Sequence, residues 1–529
     1  MSEKNREEDP PEANIIVAVY RLDTEERIRM RDLLLGIDIG TSSCKVAVFD
    51  PEGKVAAAKS AEYEVYRPHP GWAEQDPEDW VKGVYDCIRG ILSETEVKAE
   101  EIKGIGVDGQ GWSAIALDKD GKVLIKTPIW MDMRAQGICD RLNAKIGSDR
   151  IFELAGNPLK PSYTTPKILW YQENHPEIYD RIDKILQCNS FLVYRLTGEI
   201  SQDVSMGYGL HCFDMRKACW DMDMAKELGI PERFLPPIFP CTGVVGKVTK
   251  EAAEATGLKE GTPVVAGGLD AACGTLGAGV ARPGETQEQG GQAGGMSICI
   301  DEYAADPSLI LGFHVVPDTW LLQGGTTGGG GVMRWFEQNF ADYERSNNCG
   351  KSSLVQLNEI AEKIPAGSEG LVFLPYMSGE RTPIWDPDAK GVFYGLDFSK
   401  TKGHFVRACM EGVAFALRHN LEVAAGAGAG VDELKAMGGS ANSLLWTQIK
   451  ADVTGKKIVV PASDTATTFG AAILAGVGVG IYPSCAEAVD RTVHVTRTHE
   501  PNPENKEVYD KAYSIYLEIY EKLKETMKR

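Results

Sequence analysis

No dense block of Lys and Arg interrupts the 529-residue chain, and its formal net charge of −20 sets up a field that repels polyanions. Nucleic acid is therefore excluded as an expected partner. The twelve cysteines lie far apart with no C-x-x-C pair, and the eight histidines do not gather at metal-ligand spacing. Reduced, buried thiols in a cytoplasmic protein are the expectation. No apolar run suits a membrane span. The most apolar stretches, 263–281 and 469–482, are full of glycine, and the first carries Asp270. The opening segment is acidic at Glu3, Glu7, Glu8 and Asp9, and its one apolar run, residues 15–20, is too short for a signal-peptide core. A soluble protein with no membrane partner is predicted. No Gly-Lys-Ser/Thr follows the glycine runs, which excludes a Walker A loop, and no dinucleotide fingerprint is present.

What is there describes an ordered globular protein, with 43% hydrophobic and 25% charged residues and length enough for several domains. Residues 1–32 read as an extension outside the fold, expected to be disordered, and Met30 marks a second candidate start for translation. Ordered structure opens with a strand at 33–39, the turn Gly40-Thr41-Ser42-Ser43 and a return strand at 44–49 that meets Asp50-Pro51-Glu52-Gly53. A helix follows, with Asp76 as cap, Pro77 at its first position, Glu78 and Asp79 in its first turn, and a 3.6-residue apolar period from Trp80 to Leu92. A further strand, 105–108, reaches Gly109-Gln110-Gly111. Continued alternation of strands and helices indicates an α/β fold with helices covering a mixed sheet.

The chain also repeats itself. Residues 285–300 give strand, glycine turn and strand again, and Leu434 to Met437 entering Gly438-Gly439-Ser440-Ala441-Asn442 echoes 105–111. Small-residue helices close both halves at 271–280 and 471–477. Two domains of one topology with a cleft between them are implied, at 33–282 and 283–484, and pockets favour such interfaces. Residues 485–529 form a tail whose Val508, Ala512, Ile515, Tyr516, Ile519 and Leu523 mark an amphipathic helix packed on the outside.

Several residues could carry chemistry. Asp38 ends an apolar strand and is followed by Gly40, Thr41, Ser42 and Ser43, whose amides and hydroxyls could cradle phosphate with a divalent cation between phosphate and carboxylate. The same residues could instead satisfy the amides of an ordinary hairpin. Asp270 stands between a buried strand and a small-residue helix, where it could cap the helix or serve as general base to a hydroxyl. The glycine-rich turns at 324–331, including Gly328, and at 438–442 each precede a helix, whose first amides favour anions. Trp72, Glu74, Gln110, Trp112, Trp130, Asp132 and Arg134 combine aromatic faces with polar groups suited to sugar hydroxyls, or are core. Trp170 and Trp335 are assigned to the core, and His404 to a structural role.

Taken in order, the motifs resemble the FGGY family of carbohydrate kinases, its xylulokinase branch most closely, over residues 33–483. They are Gly36-Ile37-Asp38-Ile39-Gly40-Thr41-Ser42, Gly71-Trp72-Ala73-Glu74-Gln75-Asp76-Pro77, Trp130-Met131-Asp132-Met133-Arg134 and Thr165-Pro166-Lys167-Ile168-Leu169-Trp170. Later come Gly267-Gly268-Leu269-Asp270, residues 374–383, Arg407 with Glu411 to Phe415, and Gly438-Gly439-Ser440 with Phe469 to Ala472. The resemblance implies two actin-like (ribonuclease H-like) domains with ATP and a sugar in the interdomain cleft. It makes Asp270 the general base for the sugar's primary hydroxyl and Asp38 the carboxylate beside Mg²⁺. It assigns Gly40, Thr41, Ser42 and Ser43 to a first phosphate loop, Gly291, Gln292 and Gly328 to a second phosphate region, and Gly438, Gly439, Ser440 and Asn442 to the nucleotide. Gln110, Gly111 and Trp112 fall at sugar-contacting positions.

The sequence departs from the xylulokinase pattern in three places. Gly111-Trp112 stands where Met-His is usual, Ala271 where Asn often follows the catalytic Asp, and Gly291-Gln292-Ala293 where Gly-Thr-Ser is usual. The first two leave the acceptor open between a ketopentose such as D-xylulose, glycerol, another polyol or another ketose. The third motivates a rival of a different class, a sugar- or nucleotide-sensing relative that closes without turnover. The resemblance also admits a homodimer, the commonest closed assembly.

Overall fold

The computed structural model describes residues 31–347, 349–462 and 466–529. Of the predicted extension, residues 1–30 lie outside the described residues. Arg31 is tied to the fold, its guanidinium donating to Glu101 at 3.1 and 2.8 Å.

The first half is built on β1 (Leu33–Ile39), β2 (Ser43–Phe49), β3 (Val55–Glu62), α1 (Pro77–Glu94), β4 (Ile102–Gly109), β5 (Val244–Lys247), β6 (Pro263–Val265), β7 (Gly268–Leu269) and α2 (Asp270–Gly277). Its sheet has the order β5-β6-β4-β1-β2-β3, with β7 also paired to β4. β1, β2 and β3 are antiparallel, whereas β4 and β6 run parallel to β1. Every residue of β1 is buried, Asp38 near its end included, and the apolar run Leu33–Ile37 is what a central strand requires. The turn after β2 closes as expected: Asp50 accepts from the amides of Glu52 and Lys54 at 3.0 and 2.9 Å. Asp76 caps α1 by accepting from the Glu78 amide at 3.0 Å. Between β4 and β5 the chain makes a mainly helical insertion with its own core around Trp170, Tyr171 and Phe234.

The second half repeats the plan with β8 (Glu285–Gly290), β9 (Gly294–Ile300), β10 (Ile310–Phe313), β11 (Trp320–Thr326), α3 (Gly330–Phe340), α4 (Lys402–Gly426), β12 (Glu433–Met437), β13 (Lys457–Pro461) and α5 (Ala466–Gly478). Its sheet order is β10-β11-β9-β8-β12-β13, closed at one edge by β14 (Val495–His499). β8, β9 and β11 are antiparallel, and β12 and β13 run parallel to β8, the same directions as β1, β2, β3, β4 and β6 in the first sheet; β10 is an added edge strand. The weak sequence repeat is therefore a duplicated actin-like domain.

The two small-residue helices join the halves. A Cβ at Gly277 of α2 would lie 1.9 Å from the Ala466 carbonyl oxygen, and one at Gly470 of α5 would lie 1.9 Å from that of Cys273. Only glycine admits so close an approach of two helix backbones. α5 also rests on the first sheet, where Gly36 faces the Thr468 carbonyl. The last helix, α6 (Lys506–Met527), buries Tyr509, Ala512, Tyr513, Tyr516 and Ile519. Val508, placed on the apolar face by periodicity, is exposed instead, and the tyrosines carry the contact. Tyr509 and Tyr516 earn their burial with hydroxyl bonds to Glu411 at 3.1 Å and Tyr376 at 2.7 Å. His404 completes a capping box with Thr401, the structural role expected of it. No helix among the described residues is long and apolar enough to cross a membrane.

Candidate active site

Three parallel strand ends bring three carboxylates together. Asp38 of β1 stands in register with Asp108 of β4, and Asp108 stands in register with Gly268 of β7, two residues before Asp270. Ligands of open α/β sheets gather beyond such carboxyl ends. Asp38 is buried; it accepts from Thr467 of α5 at 3.0 Å, and Lys45 reaches it at 3.9 Å. Burial pushes its carboxyl up, against the opposing pull of Lys45 and Thr467. Asp108 is fully buried, and burial with repulsion from Asp38 and Asp270 holds it well above the usual carboxylate range. Asp270 is pushed up to about 7, first by burial and then by the charge of Asp38.

The local structure removes one of the two roles left open for Asp270, that of helix cap. Leu269 is the N-cap of α2, and no side chain caps that helix. Asp270 is the first helical residue, and one oxygen accepts only from the adjacent Ala271 amide at 2.6 Å. Its carboxylate lines a cavity of about 260 Å³. The loop is held from behind: Ser205 accepts from the Leu269 amide at 2.9 Å and donates to buried Asp203 at 2.6 Å.

Gly111, Trp112, Trp130 and Arg381 line the same cavity. Trp112 has a left-handed φ of 64° and stacks on Tyr163 with ring centres 4.3 Å apart. Fully buried Lys167 secures that backbone by donating to the carbonyls of Trp112 and Ser162 at 2.7 and 2.6 Å. Burial brings the ammonium of Lys167 down to about 7. Trp130 donates its indole N–H to Thr41 at 3.0 Å, linking the cavity to the first turn, where Ser42 is exposed. Gln110 does not line the cavity; it is buried and donates to Gln75 at 2.8 Å.

The remaining candidates for sugar contact form a structural cluster. Arg134 bonds Asp132 and Glu74, both at 2.8 Å, and lies 3.7 Å over the Trp72 ring. Asp132 also accepts the Ala73 amide at 2.7 Å. These groups satisfy one another, and none lines the cavity beside Asp270.

The hairpin between β8 and β9 separates this cavity from a second one of about 390 Å³. Gly291, Gln292, Gly439, Ser440 and Asn442 all line the second cavity. Buried Lys450 donates to Ser440 at 2.7 Å and to Glu288 at 2.6 Å, so the Ser440 hydroxyl keeps its proton for another acceptor. Gly438 has φ 83° and packs against the backbone of Gly290. The 324–331 segment differs from the glycine turn expected. Gly324 and Gly325 belong to β11, and Gly328 is buried against Pro375 outside both cavities. The Gly330 and Gly331 amides at the start of α3 donate to the carbonyls of Gly291 and Gln292 at 2.6 and 3.0 Å. They fasten the hairpin instead of facing an anion.

The description of the FGGY family of carbohydrate kinases fits the chain at both ends of this cleft, its N-terminal domain over residues 33–277 and its C-terminal domain over 300–479. The chain belongs to the FGGY family. It is 32% identical to a xylulose kinase of Bacillus subtilis, over 92% of this chain and 96% of that protein. A gluconokinase of Bacillus licheniformis is 29% identical, over 93% and 96%. Among solved structures, xylulose kinase from Rhodospirillum rubrum superposes with a TM-score of 0.86 at 30% identity, over 94% of this chain and 100% of that one. Plasmodium falciparum glycerol kinase with ADP gives 0.82 at 25%, over 92% and 98%. The FGGY chain described here is thus a sugar kinase with two actin-like domains.

Asp108 and Lys167 were missed as functional candidates in the sequence. For Asp108 a signal existed: Gly106-Val107-Asp108-Gly109 repeats the pattern Gly36-Ile37-Asp38 at the end of a second buried strand.

Proposed function

We propose that the protein transfers the γ-phosphoryl group of ATP to the primary hydroxyl of a ketopentose such as D-xylulose. The observation that carries this reading is Asp270, a cavity-lining carboxylate with a pKa near neutrality, convergent with the acid at the phosphate turn. A base titrating near the working pH combines a useful ionised fraction with driving force for proton abstraction. Asp270 takes the hydroxyl proton as the new O–P bond forms, and the bond from γ-phosphorus to the bridging oxygen breaks to release ADP. The aromatic platform of Trp112 and Tyr163 suits the apolar face of a sugar, and the Trp112 indole nitrogen lacks a partner among the described residues. On the other side of the hairpin, Ser440 and Asn442 suit the nucleotide.

Three neighbouring acids with one lysine at 3.9 Å raise one another's proton affinity, a crowding that a divalent cation beside Asp38 would relieve. Charge neutralisation at the phosphate oxygens is the chemistry that Mg²⁺ supplies when bound there. The residues of the chain contribute the positioning: Thr467, on the helix that packs against the first sheet, donates to Asp38 and orients that acid. All twelve cysteines are free and ten are buried, which supports a reducing, cytoplasmic setting.

A second acceptor class has a specific feature in its favour. Arg381 lines the sugar cavity and could pair the carboxylate of an aldonate. Coupled measurement of ADP over pentuloses, hexuloses, polyols and aldonates separates these readings. Highest kcat/KM for D-xylulose supports the first, and highest kcat/KM for gluconate, with loss of that preference in Arg381→Met, supports the second.

A further inference from the structure

We propose that Asp108 is a second carboxylate of the divalent-cation site, facing the ion together with Asp38. The inference rests on reading the cleft as a site for a cation and nucleotide phosphates. Its basis is a buried carboxyl that faces another acid and no cation or ordinary hydrogen-bond donor. Asp108 is 0% exposed, no amide, hydroxyl or amine among the described residues donates to its carboxylate oxygens, and the group its side chain meets is a second acid, Asp38. Buried polar groups are ordinarily paired, and an unpaired carboxylate is among the most costly exceptions.

Neighbouring groups make the position worse. In-register residues on adjacent parallel strands point their side chains to the same face, so Asp108 stands beside Asp38, with Asp270 beyond Gly268 on its other flank. The nearest cation, Lys45, reaches Asp38 and not Asp108, and its side chain is 62% exposed. Nucleotide phosphates entering the cleft add more negative charge, so they cannot be the missing partner. A cation must come with them.

The count of ligands agrees. Among the described residues no group of three or more His, Cys, Asp or Glu side chains could hold a metal by itself. Two carboxylates on one side, with phosphate oxygens and water on the other, is the incomplete protein shell that Mg²⁺ commonly accepts. It follows that the ion binds weakly to the free protein and tightly once a nucleotide supplies the remaining oxygens.

The test is titration with Mn²⁺, followed by its EPR signal and by calorimetry, on wild type, Asp108→Asn and Asp38→Asn, each with and without ADP. Wild type should bind Mn²⁺ much more tightly with ADP present. Asp108→Asn should weaken that binding at least about tenfold, the usual scale for a residue supporting a metal site. In EDTA the same variant should melt above wild type, because a buried acid that crowds Asp38 and Asp270 is gone, and Mn²⁺ with ADP should raise its melting temperature less. Asp108→Ala gives the same comparison should the Asn variant not fold. Wild-type Mn²⁺ affinity in a folded Asp108 variant would overturn this role for Asp108 and leave the kinase reading standing. Failure of the wild type to bind Mn²⁺ with ADP would overturn both.

Discussion

Asp270→Asn keeps the shape of the side chain and removes the base, so it isolates the proton step. General bases contribute roughly 10²–10⁴-fold, and kcat should fall by that factor while KM for the sugar changes little. The pH dependence is the sharper observable. With Asp270 at about 7, half of the free enzyme is ionised there, and about a tenth at pH 6. Wild-type kcat/KM for the sugar should then rise roughly tenfold between pH 6 and pH 8. A cation beside Asp38 cancels part of the repulsion that raises Asp270, so the midpoint should move to lower pH as Mg²⁺ increases. Stability carries the opposite sign. An acid raised in the folded state is protonated in both states below the unfolded value, so its contribution is greatest there and is lost as pH rises through the folded value. Asp270→Asn should therefore melt above wild type at pH 8 and lose that advantage below about pH 4. The assay is ADP release coupled to a dehydrogenase, with a melting curve at each pH. A flat wild-type profile, or an Asn variant within a few fold of wild-type kcat, would refute the assignment.

Other parts of the structure give further expectations. Lys167→Met should raise KM for the sugar more than it lowers kcat, with a shifted Trp fluorescence spectrum, because the carbonyl of left-handed Trp112 loses its donor. Unchanged KM and fluorescence would show that the platform holds itself. Lys450→Met leaves Glu288 buried and unpaired and should cost about 3–5 kcal/mol in denaturant unfolding. A loss below about 1 kcal/mol would show that Glu288 takes up a proton or water at little cost. Gly470→Ala sets a methyl 1.9 Å from the Cys273 carbonyl oxygen, so the helices must separate at a cost of about 1–3 kcal/mol or more. A variant as stable as wild type would mean that α2 and α5 slide freely.

The sequence made local features legible and long-range ones only in part. The turn at Asp50 to Gly53 and the cap of α1 depend on neighbouring residues, and both stand as expected. The duplication was visible because each half must build the same strand, turn and strand around its own cleft wall. Spatial partnership was not visible. Trp72, Glu74, Asp132 and Arg134 have the composition of a sugar site, yet they close on one another and leave the cavity to Trp112, Trp130 and Arg381. The glycines at 330 and 331 have amides fit for an anion, but the Gly291 and Gln292 carbonyls take them. Asp38 and Asp270 lie far apart in sequence, and only strand register shows that they meet, with Asp108 between them.

The central claim is that these acids serve transfer of one phosphoryl group to a sugar's primary hydroxyl. ³¹P NMR of the protein with Mg²⁺, ATP and D-xylulose tests it directly. The account predicts loss of the γ-phosphate resonance with matched growth of ADP and of a phosphomonoester coupled to methylene protons, and none of this in Asp270→Asn over the same period. Release of inorganic phosphate in place of the ester, or ester formation by Asp270→Asn at the wild-type rate, would contradict it.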